Sequence, residues 1–154
     1  MTVSSIDEDA RREEIRALAL ATGFVRVRFL APWMPPDDPG VPENYRAGAP
    51  ALLTAALAYG NVADPPGDAP AALPRFPARI APFAQRNYYA EATARLKALA
   101  RTLRLRYGGV KADYRVLCNS PVPERPPALA SGLGWIGRNG LLITPEAGSL
   151  VIIA

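Results

Sequence analysis

Apolar positions at three- and four-residue steps open the chain. Ile15, Leu18, Ala19 and Thr22 recur with the period of a helix, in a segment that begins with Ser5 and Glu8 as a capping box and stops at Gly23. Residues 24–30, FVRVRFL, then alternate apolar and charged positions, the period of a strand with one solvated face. A nearly continuous apolar run at residues 51–61, ALLTAALAYGN, lies between Pro50 and Gly60. It reads as a central strand covered on both faces, with a buried helix as the alternative because alanine is so common there. Ala92, Leu96, Leu99, Leu103 and Tyr107 next mark a long amphipathic helix that ends at Gly108 and Gly109.

The last third changes period again. In KADYRVLCNS, Ala112, Tyr114, Val116 and Cys118 alternate as a strand does, and Pro126 with Pro127 opens a short helix. Residues 141–143 and 150–153 are two apolar runs joined by TPEAGS, which predicts a hairpin. Prolines and glycines, 17 and 12 in number, gather at residues 31–50 and 64–82, so those stretches read as long loops. The expected fold class is α+β: a mixed, largely antiparallel sheet flanked by helices, in one domain over residues 1–154. Because the sequence ends within an apolar strand, we expect a fragment, or a module lacking its continuation.

Composition narrows the chemistry. With 49% hydrophobic residues the chain can fill a core. Its apolar runs are all too short for a membrane span and its first residues are acidic and polar, so the expected location is cytoplasmic, with no membrane partner. The single cysteine, Cys118, excludes an internal disulfide and cannot by itself hold a structural zinc or an iron–sulfur cluster. There is no histidine, so the usual general base and the commonest metal ligand are both missing, and metal chemistry would have to arrive inside a cofactor. A net charge of +4 suits a polyanion such as RNA, but arginine-rich, alanine-rich coding bias explains it equally well. The aromatic–basic interleaving of single-strand RNA modules is lacking.

The densest local signal is SGLGWIGRNG at residues 131–140. Gly132, Gly134, Gly137 and Gly140 remove side chains where the backbone must turn sharply or admit something large, with Trp135 and Ile136 expected to anchor the loop. A binding surface is one reading. A tight strand connection with Trp135 as a core plug is the other.

Taken in order, ARIAPFAQRNYYAEATARLKALA, the segment ending CNSPVPER, and ALASGLGWIGRNGLLITPEAGSLVIIA resemble the N-terminal half of the epoxyqueuosine reductase family. The resemblance covers roughly residues 52–154, with a looser match in the first helix and strand. It implies an α+β domain, similar to the corrinoid domain of reductive dehalogenases, that holds cobalamin with its lower base detached. It further implies a following ferredoxin-like domain with two 4Fe-4S clusters that supplies electrons, and removal of the epoxide oxygen from epoxyqueuosine in transfer RNA. No cysteine-rich cluster run occurs in these residues, so that domain would act in cis or in trans.

Residue by residue, the resemblance and the need of a broad, amide-fringed ring for close backbone approach make Gly132, Leu133, Gly134, Trp135, Ile136, Gly137, Arg138 and Asn139 the candidate cofactor surface. Tyr88 matches a family tyrosine near the corrin face and is a candidate catalytic hydrogen-bond donor; a half-buried place in the first helical turn is its plainer reading. Cys118 falls where the family carries a proton-donating aspartate. A thiol there is a candidate acid and also a plain small core residue. Asn119 is a candidate substrate contact, and no metal ligand is assigned. Glu124 and Arg125 keep the family pattern and read first as a pair or a helix cap. Tyr59 and Asn61 would reach the ligand side by position alone. The functional expectation is a cobalamin-binding domain of an epoxyqueuosine-reductase-like oxidoreductase, incomplete for catalysis alone; the alternative is a non-catalytic corrinoid carrier or protein-interaction module.

Overall fold

The computed structural model describes residues 3–59 and 81–154. Helix α1 (Val3–Ala21) leads to strand β1 (Arg26–Leu30), and β2 (Leu52–Ala58) follows. After them come α2 (Tyr88–Tyr107), α3 (Arg125–Ala130), β3 (Trp135–Ile136), β4 (Leu142–Ile143) and β5 (Val151–Ile153). Gly60, Asn61 and most of the second expected loop lie outside the described residues.

Strand β2 is central, between β1 and β5, and both pairings are antiparallel. Its buried run Thr54, Ala55, Ala56 and Leu57 needs cover on both faces, which the layers supply. Ala55 and Leu57 pack with Ala19, Val27, Ala92 and Leu99 under the two long helices, while Ala56 packs on the other face with Ala128, Leu133 and Leu142. A hydrogen bond of 2.7 Å between the hydroxyls of Thr54 and Ser131 pins the end of α3 to the sheet. Trp33, Val41 and Val122 form a third, smaller core beneath the proline-rich loop.

Both long helices end as the pattern predicts. Gly23 and Gly108 take positive φ angles of 98° and 81°, and Asn87 caps α2 by accepting the Ala90 N–H at 3.0 Å. Ser5 is no N-cap, because α1 already starts at Val3.

Three other expectations are corrected. First, the sheet was expected to be mixed, and among the described residues every strand pair is antiparallel. Second, the expected strand at 111–120 is a 3-10 turn, Lys111–Asp113, followed by irregular chain. Local bonds win there: Asp113 accepts the Val110 N–H at 2.7 Å and the Tyr114 hydroxyl donates to the Gly108 carbonyl at 2.8 Å. The alternation survives only in packing, with Val116 and Cys118 directed into the main core. Third, β4 and β5 do not pair with each other. The turn between them closes, with Thr144 and Gly148 exchanging backbone hydrogen bonds of 2.9 Å, but β4 pairs with β3 and β5 with β2.

Candidate functional site

The β3–β4 hairpin explains the glycines first. A Cβ on Gly134 would collide with the Ile143 carbonyl, so that glycine serves the close approach of the hairpin's own strands. Gly137 donates its N–H to the Leu141 carbonyl at 2.9 Å and closes the hairpin, and Gly132 and Gly140 take turn conformations with φ of 74° and 73°. The anchor of the loop is Leu133, fully buried against Ala128 and Leu142. Trp135 and Ile136, expected to hold the loop, instead lie outward: Trp135 is 52% exposed, and with Ile136 and Leu141 it leaves apolar surface along the hairpin. Arg138 and Asn139 are exposed beside it, Asn139 accepting the Leu141 N–H at 3.2 Å.

Next to that surface lies a cavity of about 410 Å³. Its walls come from the segment before α2 (Phe83, Arg86) and its first turn (Tyr88, Tyr89), Tyr59 just after β2, the start of α3 (Glu124, Arg125), the hairpin (Leu141, Leu142), and Ser149 with β5. Leu141 belongs to both the hairpin surface and the cavity. The Tyr88 ring is nearly buried, packed 5.4 Å from the Tyr59 ring and under the Arg86 guanidinium at 5.2 Å. Burial raises the Tyr89 phenol above its ordinary value, and the nearby Glu124 carboxylate adds to this.

The sequence-predicted residues therefore divide. Tyr88 lines the cavity, while Gly132, Leu133, Gly134, Trp135, Ile136, Gly137, Arg138 and Asn139 form the adjoining hairpin without lining it. Cys118 points into the main core, 8% exposed; burial raises its thiol, with a hydrogen bond from Thr93 acting against the shift. Asn119 is exposed, in a left-handed conformation (φ 53°), and its N–H donates to Glu124 Oε1 at 2.7 Å. Sequence reasoning missed Phe83, Arg86, Tyr89 and Ser149; the doubled tyrosine in QRNYY was the one available signal. Glu124, read first as a pair or a cap, holds the N-cap position of α3 without a side-chain cap bond; its carboxyl lies in the cavity wall, where burial raises it above its ordinary value, the Asn119 N–H pulling it partly back. No group of acidic, cysteine or histidine side chains among the described residues could hold a metal ion.

A second crevice, of about 610 Å³, runs between the two long helices and the proline-rich loop past Trp33, Tyr45, Leu96 and Leu103. Among the described residues no helix is long and apolar enough to cross a membrane.

An antiparallel sheet between a helix pair and a glycine hairpin defines an α+β domain of the kind found in solved epoxyqueuosine reductases. The structure from Bacillus subtilis, described with its catalytic aspartate loop swung out of the active site, matches 94% of this chain and 44% of its own at a TM-score of 0.63 and 18% identity. An epoxyqueuosine reductase bound to an epoxyqueuosine-modified transfer RNA stem loop matches 94% of this chain and 44% of its own at 0.59 and 16%. In sequence the chain is homologous over part of its length to curated epoxyqueuosine reductases. That of Gloeobacter violaceus is 34% identical over 106 residues, which are 69% of this chain. The match spans 31% of that relative's length. No protein-family model matches the chain.

Proposed function

We propose that this chain is the cobalamin-binding domain of an epoxyqueuosine-reductase-like oxidoreductase acting on transfer RNA, with a ferredoxin-like 4Fe-4S domain in cis or in trans as its electron source. One observation carries the reading: the tyrosine-lined cavity and the apolar hairpin surface adjoin through Leu141. A corrin is a broad apolar disc with a polar rim, and these residues fit such a group. Trp135 and Leu141 would give it apolar contact, and Tyr59, Tyr89, Ser149 and Arg86 would offer polar groups to its rim. A corrinoid held there would supply reducing power to the substrate.

The chain's own residues do the remaining work. Tyr88, held by Tyr59 and Arg86, presents its phenol as a hydrogen-bond donor to a substrate oxygen. The Leu133 anchor and the Gly134 contact keep the hairpin rigid, so its apolar face is preformed. Arg125 and Arg138, at the cavity and beside it, place positive charge where a nucleic-acid backbone would approach.

The test is conversion of an epoxyqueuosine-bearing stem loop by the chain with cobalamin and a chemical reductant. Conversion supports the oxidoreductase. Cobalamin binding without conversion favours the corrinoid-carrier alternative.

A further inference from the structure

The sequence has seven glutamates, all within the described residues. Six of them, Glu8, Glu13, Glu14, Glu43, Glu91 and Glu146, form ion pairs with arginine. Among the described residues Glu124 alone forms none, although Arg86 and Arg125 line the same cavity. One of its carboxylate oxygens accepts the Asn119 N–H at 2.7 Å, and the other has no hydrogen-bond partner among the described residues. Asn119 sits in the left-handed region, which asparagine tolerates better than most residues, and the turn brings its N–H back onto Glu124. Among the described residues Glu124 is also the only carboxyl in the cavity wall, where Tyr59, Tyr88, Tyr89, Arg86 and Arg125 are the other titratable groups; Cys118 faces the core but lies near enough for the Glu124 carboxylate to add to the rise of its thiol.

We propose that Glu124 is the acid of this site, carrying the proton to the departing substrate oxygen that the family resemblance had placed at position 118. The inference rests on the function proposed above and deepens it. Burial in the cavity wall makes this carboxyl keep its proton to higher pH than an ordinary glutamate; the Asn119 N–H pulls only partly back, and no ion pair among the described residues favours the charged form. Removing an epoxide oxygen as water consumes two electrons and two protons and leaves an alkene. The electrons come from a low-potential iron–sulfur donor. As the C–O bond breaks, its electron pair stays on oxygen, the Glu124 O–H bond gives up its proton to that oxygen, and a carboxylate remains. The second proton comes from water, which also reprotonates the carboxylate between turnovers.

Two readouts test this on the full chain. In a carbon-13 NMR titration of the glutamate carboxyls, assigned with Glu124→Gln, the Glu124 signal is expected to titrate above the ordinary glutamate range, with the Asn119 amide shift following the same midpoint. A midpoint inside that range overturns the proposal whether or not cobalamin binds. In the stem-loop assay, Glu124→Gln is expected to lower conversion by roughly 100-fold, the contribution of a general acid, with an undiminished cobalamin spectrum and partial recovery in Glu124→Asp. Equal conversion by wild type and Glu124→Gln overturns the acid role and leaves the cofactor reading standing. Loss of the cobalamin spectrum in wild type counts against the cofactor reading, and the NMR midpoint still decides the state of Glu124.

Discussion

The Asn119 amide donates to Glu124 Oε1 at 2.7 Å, and no cation among the described residues completes the pair. This half-satisfied carboxyl makes stability depend on pH in a definite sense. The folded value of Glu124 is raised, so the folded state binds more protons than the unfolded chain between the unfolded and folded values. Below the unfolded value the residue contributes no penalty; stability falls as pH rises from there through the folded value, and the full cost applies above it. Glu124→Gln keeps an acceptor for Asn119 and removes the charge. Thermal melts are expected to show the variant more stable than wild type at neutral pH, the difference vanishing in acid. A variant less stable at neutral pH would mean that the carboxylate is favourably held.

Gly134 carries a steric prediction. Alanine there meets the Ile143 carbonyl, which belongs to a paired strand and cannot swing away. Gly134→Ala is expected to cost about 2 kcal/mol or more, lowering Tm by roughly 4–8 °C in a chain of this size. Gly132→Ala meets no atom and bears only its positive φ, for about 1 kcal/mol. Equal melting points for the two variants would contradict the hairpin geometry.

Cys118 is expected to be slow. Its thiol is buried in the core and its ionisation is pushed up, so alkylation of the folded chain near neutral pH should run on the order of 100-fold slower than in denaturant, where opening no longer limits access. Rapid alkylation of the folded chain would place this thiol at the surface.

Thr54 and Ser131 join sheet to helix through hydroxyls 2.7 Å apart, and the Ser131 hydroxyl donates a hydrogen bond to the Ala128 carbonyl at 3.0 Å. Ser131→Ala leaves the buried Thr54 hydroxyl without that partner, for about 1–2 kcal/mol in chemical denaturation. An unchanged midpoint would show that Thr54 finds another acceptor.

The long helices and the central strand were legible because their periods extend over many residues and glycines mark the helix ends. The last third was not. Residues 141–143 and 150–153 flank a real turn, but two or three apolar residues carry no signal for a partner, and burial sends one run to Trp135 and the other to Ala56. Trp135 was misread as an anchor because a large ring normally fills a core; here Leu133 already does. The resemblance pointed to Tyr88, which lines the cavity. The place of Glu124 in the cavity wall was hidden, since the wall is assembled from segments far apart along the chain and no spacing displays a neighbour in space.

The most direct test of the account is a visible-absorption titration of the purified chain with cobalamin, run in parallel on Trp135→Ala. Because Trp135 lies outward on the hairpin, its removal should leave the fold intact. The account predicts a saturable band shift marking loss of the lower base in wild type, and at least about tenfold weaker binding in the variant, the effect of removing a large aromatic contact. A folded wild-type chain that gives no saturable shift, or a variant that binds as tightly as wild type, would contradict it.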